Sequence, residues 1–241
     1  MTERIWIMGA SDGIGAELAR QWAAKGARLI LSARSSPALE RLASEIGAEP
    51  LAADVSDPRS LASAAEAIAA GGGLDRAITL AALYEPGGLM QADPDLAARI
   101  VEINLTGSFH FVQAAVPLLV KGGQLALTGS VAGYIGLPQG QIYSATKAGV
   151  INMAETLRVE LAPQVDVRLI SPGFVDTRMT RRNDFDMPSL MSPQDAARRM
   201  IRGLDSRRFE IHFPRRLSLP LKLLRALPYP LALRLTRRLV R

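Results

Sequence analysis

Arg4-Ile5-Trp6-Ile7-Met8-Gly9-Ala10-Ser11-Asp12-Gly13-Ile14-Gly15 runs an apolar segment straight into a glycine-punctuated turn. Arg4–Met8 reads as a short buried strand, and Ile14–Lys25, closed by Gly26, as a helix. Glycines let a backbone turn sharply and approach a ligand closely. A helix N-terminus offers free N–H groups and the positive end of its dipole. Gly9, Ser11, Asp12, Gly13, Ile14 and Gly15 are therefore candidates for holding a pyrophosphate. The spacing is Gly-x3-Gly-x-Gly, and an ordinary glycine turn between strand and helix is the alternative.

Outward from this unit the same alternation repeats. Strands are expected at Arg28–Ser32, Glu49–Ala53, Arg76–Leu80, Gln124–Gly129, Val165–Ile170 and Phe209–Phe213. Helices are expected at Pro37–Ile46, Pro58–Ala70, Asp95–Val120, Ile142–Leu161 and Pro193–Leu204. Strands separated by helices of this length imply right-handed crossovers and a parallel sheet covered on both faces. The unbroken apolar run Leu29-Ile30-Leu31 agrees with burial on both sides. The expected fold is α/β, a doubly wound (Rossmann) parallel sheet of about seven strands. Residues 1–213 form one domain, and residues 214–241 a basic amphipathic C-terminal extension.

Composition narrows the function classes. Of 241 residues, 48% are hydrophobic and 22% charged, enough apolar material for a large core. There is no cysteine, so disulfides and thiolate metal sites are excluded. His110 and His212 lie far apart without metal-ligand spacing and read as packing or surface residues; no metal is expected. No signal peptide and no spanning helix are expected, which points to a cytoplasmic protein. The net charge of +6 is local. Residues 214–241 hold eight of the 29 Lys and Arg and none of the 23 acids, leaving the first 213 residues at −2. That tail interleaves leucines and arginines with Pro214, Pro220, Pro228 and Pro230. It reads either as short amphipathic helices touching a membrane surface, at the inner face, or as packing on the body or a partner subunit. Nucleic acid is the least favoured partner.

After the second strand, Ser32-Ala33-Arg34-Ser35-Ser36 carries no acid for a ribose 2′-hydroxyl but one guanidinium that could fork onto a 2′-phosphate. Arg34 and Ser35 thus favour NADP(H), with a solvated surface arginine as the alternative. Asp54-Val55 could meet an adenine edge or be a plain strand end. Tyr143 and Lys147 stand four apart on an expected helix, hence on one face. A phenol ordinarily loses its proton near pH 10, and a nearby ammonium lowers that value, making proton exchange with an alcohol practicable. Ser130 ends the fifth strand, where its hydroxyl could polarise a substrate oxygen.

Gly9-x3-Gly13-Ile14-Gly15, Asn104 in Ile103-Asn104-Leu105-Thr106-Gly107, Ser130 thirteen residues before Tyr143, the Tyr143–Lys147 pair and Pro172-Gly173-Phe174-Val175-Asp176-Thr177 follow one another in order. In this the chain resembles the short-chain dehydrogenase/reductase family from Arg4 to Phe213. The resemblance implies hydride transfer between NADP(H) and a carbonyl or alcohol carbon of a small-molecule substrate. Tyr143 would be the proton donor and acceptor, and Lys147 would lower its pKa and hold the nicotinamide ribose. Ser130 would bind the substrate oxygen, and Asn104 would hold a water of the proton relay. Ala81, Pro172, Gly173, Val175 and Thr177 would border the cofactor. It also implies a homodimer or homotetramer through the Tyr143 helix. Two departures stand out: Met8 where the family usually has threonine, and Thr79-Leu80-Ala81-Ala82 where it usually has Asn-Asn-Ala-Gly. They bear on cofactor affinity and loop geometry, not on the acid/base group. In the family, Arg178–Met191 folds over the substrate. Its Met179, Phe185, Met187, Leu190 and Met191 suggest a lipophilic one, or a lid packed on the body. Rival readings are a dinucleotide-binding regulatory protein without turnover, a membrane-surface protein acting through its tail, and an epimerase or dehydratase using the same pair.

Overall fold

In the computed structural model, which describes residues 2–34 and 37–237, seven parallel strands form one sheet in the order β3-β2-β1-β4-β5-β6-β7. The strands are β1 Arg4–Met8, β2 Arg28–Ser32, β3 Glu49–Pro50, β4 Leu74–Thr79, β5 Leu119–Thr128, β6 Asp166–Pro172 and β7 Glu210–Phe213. Successive side chains on a strand face opposite ways, so β1 feeds two cores. Ile5 and Ile7 join α1 (Gly13–Ala23), α2 (Pro37–Ile46) and α7 (Pro193–Leu204) on one face. Trp6 and Met8 join α3 (Pro58–Ala70), α5 (Gly107–Ala115) and α6 (Gln141–Glu160) on the other. Trp6 stacks at 4.8 Å from Phe111, and its indole N–H, buried with the ring, donates to Ser32 Oγ at 2.9 Å.

Several element ends follow from capping. Asp57 caps α3 by accepting from Arg59 N, and Ser192 caps α7 by accepting from Asp195 N, each with a proline in the first turn behind it. Asp93 does the same for α4 (Pro94–Val101), accepting from Leu96 N at 2.8 Å.

Two expected elements differ. The stretch from Asp95 to Val120, expected to be largely helical, is so in pieces. A π-helical turn at Glu102–Thr106 separates α4 from α5, and Leu119 and Val120 already belong to β5. The apolar run before Gly122 satisfies either period. Pro117 ends the helix, and Leu119 pairs with Leu74 across a register shift in the ladder. The expected strand Glu49–Ala53 shrinks to Glu49–Pro50. Its extended course nevertheless continues, with Leu51 N and Ala53 N donating to Leu31 O and Ala33 O at 2.9 Å each.

Where β1 and β4 part, the chain passes itself closely. Gly9 adopts φ +86°, and a Cβ there would lie 2.6 Å from Ala81 N. A Cβ on Gly15 would stand inside the Gly9 carbonyl oxygen. Both contacts are with backbone, which cannot step aside. Gly26 also has positive φ, yet its Cβ would meet nothing. Gly15→Ala is therefore expected to cost about 3 kcal/mol or more, against about 1 kcal/mol for Gly26→Ala, as read by urea unfolding. Equal midpoints for the two variants would show that the turn has room to relax.

Candidate active site

All seven strands end at one edge, so the turns that leave them there can share a cleft; β1 and β4 form the switch point where the strand order reverses. After β1, Asp12 caps α1, its carboxylate accepting from Gly13 N at 2.7 Å. Within the first turn of α1 itself no acid stands to compete with an anion for the positive end of the dipole. Gly13 faces Thr177 across the cleft: a Cβ on Gly13 would lie 3.0 Å from the Thr177 methyl. Arg178 adds a surface ion pair to Asp12 at 3.3 Å. The turn Gly9–Gly15 and the segment Pro172–Thr177 are thus brought together at Gly13 and Thr177, and Ser11 and Ile14 of the turn are partly buried. The close-approach glycines, beside a helix N-terminus of which only Gly13 N is taken up by Asp12, fit an anionic dinucleotide.

The departures from the resemblance resolve into packing. Met8 is buried and pairs in register with Ser32 on one side and Thr79 on the other. Ala81 is the residue against which Gly9 packs. Arg34 is exposed at the end of β2, and its charge reaches Asp54. Burial pushes the Asp54 carboxyl up, but bonds from the Ser56 hydroxyl (2.7 Å) and N–H (2.9 Å), with the Arg99 and Arg34 charges, hold it below its ordinary value. Val55 is buried, and its carbonyl meets His110 Nδ1 at 3.3 Å. Ser35 lies outside the described residues.

Tyr143 sits in the first turn of α6 and Lys147 one turn on. The Lys147 ammonium donates to Thr128 O at 2.8 Å and lies 5.6 Å from the centre of the Tyr143 ring. Ser130, in the short turn after β5, accepts from Ala132 N at 3.1 Å and donates to Pro172 O at 3.3 Å. Its hydroxyl also acts on the Tyr143 phenol, favouring the ionised form. Asn104 lies in the π turn, fully buried. Its Oδ1 accepts from Leu83 N at 2.7 Å, while its Nδ2 donates to Leu83 O at 2.9 Å and Thr146 Oγ1 at 3.2 Å. Asn104 thus ties the loop after β4 to the residue beside Lys147. π turns of this kind recur at functional sites.

The electrostatics also differ from the expectation that Lys147 lowers the phenol. Part of the Tyr143 ring is open, yet the group lies deep among protein atoms. Burial pushes it up to about 12, opposed by the Ser130 hydroxyl and reinforced by Tyr84. Burial brings Lys147 down to about 8. Desolvation disfavours both charged forms. At neutral pH the phenol is held protonated, the form a proton donor needs.

Two sets of residues gave no signal in the sequence. Tyr84 stacks edge-on against Tyr143, ring centres 4.9 Å apart, and its hydroxyl donates to Asn183 Oδ1 at 2.5 Å. Arg182 pairs with Glu85 and donates to Tyr84 O. The lid segment is therefore fastened to the loop beside the phenol, and Phe185 packs edge-on against Phe174. Behind Ser130, the buried Tyr134 phenol donates to Glu210 on β7. Lys222 of α8 (Arg215–Ala226) also pairs with that carboxylate and sits over the Tyr134 ring at 5.6 Å. Their long sequence separation hides this cluster from any local pattern. A cleft of about 730 Å³ lies against Gln141, Ser144, Ala145 and Ala148, the face of α6 turned away from Tyr143.

Comparison with known proteins agrees with this architecture. Residues 3–187 match the family described as short chain dehydrogenase. An uncharacterised oxidoreductase of Myxococcus xanthus is 34% identical over 234 residues, 93% of this chain and 92% of that protein. A short chain dehydrogenase from Burkholderia cenocepacia, solved with NADP, superposes with TM-score 0.86 at 25% identity over 97% of each chain. One from Burkholderia phymatum, solved with NAD, gives 0.83 at 24% identity over 92% of each.

Burial pushes the Glu210 carboxyl up, but its bonds to Lys222 and Tyr134 leave it below its ordinary value. A carboxyl lowered by folding contributes stability above its ordinary range and loses it as pH falls. Lys222→Met is thus expected to cost about 1–2 kcal/mol at pH 7. In thermal melts the deficit should narrow below about pH 4 as the carboxyl takes up a proton. A deficit independent of pH would mean that only the lysine stem matters.

Proposed function

The chain belongs to the short-chain dehydrogenase family, and on that premise we propose an NADP(H)-dependent reductase of lipophilic carbonyl compounds with Tyr143 as its proton donor. It is an oxidoreductase that uses a nicotinamide nucleotide and acts between a carbonyl and an alcohol carbon. Gly9, Ser11, Asp12, Gly13, Ile14 and Gly15 would hold the diphosphate. Arg34 and Ser35 would meet the 2′-phosphate, Asp54, Val55 and Ala81 the adenosine half, and Pro172, Gly173, Val175 and Thr177 the nicotinamide side. When bound, the nucleotide supplies or accepts the hydride.

The observation that carries the reading is the Ser130–Tyr143–Lys147 grouping, tied to Thr128, with its phenol held neutral by burial. Ser130 orients the carbonyl oxygen, and Tyr143 Oη gives that oxygen its proton. Lys147 places a positive charge behind the phenol and would hold the nicotinamide ribose. Asn104 positions the loop after β4 against Thr146 and so against Lys147. Phe174, Phe185 and Met187 give the lid an apolar lining, which favours a lipophilic substrate. The family resemblance adds a homodimer or homotetramer through α6, and the leucine- and arginine-rich tail adds contact with a membrane surface, where a lipophilic substrate would be met.

Tyr143→Phe is expected to lower kcat by about 10²–10⁴ while nucleotide binding, read by fluorescence, is kept. Unchanged turnover would remove the phenol from the reaction. Reductive kcat should be level near neutral pH and fall above about pH 8 as Lys147 loses its proton; a rise across that range would assign the charge no part. With a panel of aldehydes, ketones and 3-oxoacyl compounds, NADPH should outperform NADH. Arg34→Leu should raise KM for NADPH about 10–100-fold and leave NADH untouched. A preference of the wild type for NADH would overturn the role of Arg34.

A further inference from the structure

Helices α8 and α9 (Tyr229–Thr236) are docked on the body by one face and bare on the other. On the docked face of α8, Ser218 is fully buried, bonding His212 Nδ1 at 2.7 Å and donating to Pro214 O at 3.1 Å. Leu221 enters the core, Lys222 pairs with Glu210, and Leu217 lies against Gly173. In α9, Ala232 and Thr236 are buried. This fixes which way the rest points.

Outward stand Leu219, Leu223, Tyr229, Leu231, Leu233 and Leu235, each keeping between 43% and 77% of its surface open. Six large apolar side chains exposed within seventeen residues form a contiguous stretch of a kind that soluble surfaces rarely carry. Charge accompanies it. No acid occurs after Glu210, and Lys222 is already engaged; among the described residues Arg215, Arg216, Arg225, Arg234 and Arg237 enter no ion pair.

We propose that this face is an interfacial docking surface for an anionic lipid bilayer. A second copy meeting it across a two-fold axis would set the same cations against each other with no carboxylate in the segment to neutralise them. Nucleic acid would answer the arginines and leave the leucines wet. An anionic bilayer satisfies both: acyl chains take the leucines, and headgroup phosphates take the guanidinium groups. Twelve and eight residues of helix reach about 18 and 12 Å, too short to span, so both lie in the plane of the interface. Because Leu217 of the same helix touches Gly173, the docked surface sits next to the cleft.

The test uses the full chain in vesicle flotation, with phosphatidylcholine alone or mixed with phosphatidylglycerol. Recovery with the mixed vesicles is expected to exceed that with phosphatidylcholine by about ten-fold or more, and to fall when salt is raised. Leu223→Glu combined with Leu233→Glu should abolish flotation while the melting temperature and the reduction of a water-soluble ketone stay unchanged, which separates this surface from the chemistry at Tyr143. Failure of the wild type to float with anionic vesicles overturns the proposal. So does flotation that survives in the double variant, because binding would then use another face. A wild-type assembly that the double variant breaks into smaller species, with no flotation by either, assigns the face to subunit contact instead.

Discussion

The backbone of Gly9 passes so close to that of Ala81 that no side chain fits between them, and the site grows from this contact. It brings the first turn of the chain against the strand on the far side of the switch point. Gly15 then closes α1 onto the same turn, so the helix begins where the sheet edge opens. With every strand parallel, the turns after β4, β5 and β6 arrive at that edge as well. Ala81, Ser130 and Pro172 need no further instruction to become neighbours of the turn. The sheet direction supplies the meeting place, and the glycines supply the space.

The chemistry set into that space depends on desolvation. Tyr143 and Lys147 are both drawn toward their neutral forms, by the same burial acting on charges of opposite sign. A phenol raised in this way stays protonated across the neutral range, at the cost of being a weaker acid. Thr128 O, facing the Lys147 amine, compensates part of that burial without adding a charge. Fixed backbone dipoles of this sort hold a site ready at little reorganisation.

Much of this was legible in residues. Helix ends at Pro37, Pro58 and Pro193 came from proline and capping chemistry, which is local. The parallel sheet followed from apolar strands separated by helical spacers. Leu118-Leu119-Val120 was misleading because an unbroken apolar run suits helix and buried strand alike, and only the pairing of Leu119 with Leu74 decides. The partners of Asn104, the edge-on approach of Tyr84 and the Tyr134–Glu210–Lys222 cluster were invisible for a different reason. Each joins residues brought together by the finished fold, across separations at which periodicity carries no information.

The π turn at Glu102–Thr106 holds one residue more than a regular helix would need for the same advance. Removing it would restore an unbroken spiral, and by local propensity alone the chain would gain. But each residue in a helix turns the wheel by about 100°, so the deletion would swing Phe111 and Val112 off the core and Asn104 away from Leu83. The surplus residue is locked in by what lies on both sides of it. Over evolutionary time such an insertion acts as a ratchet: easily kept, and reversible only by rebuilding the helix that follows.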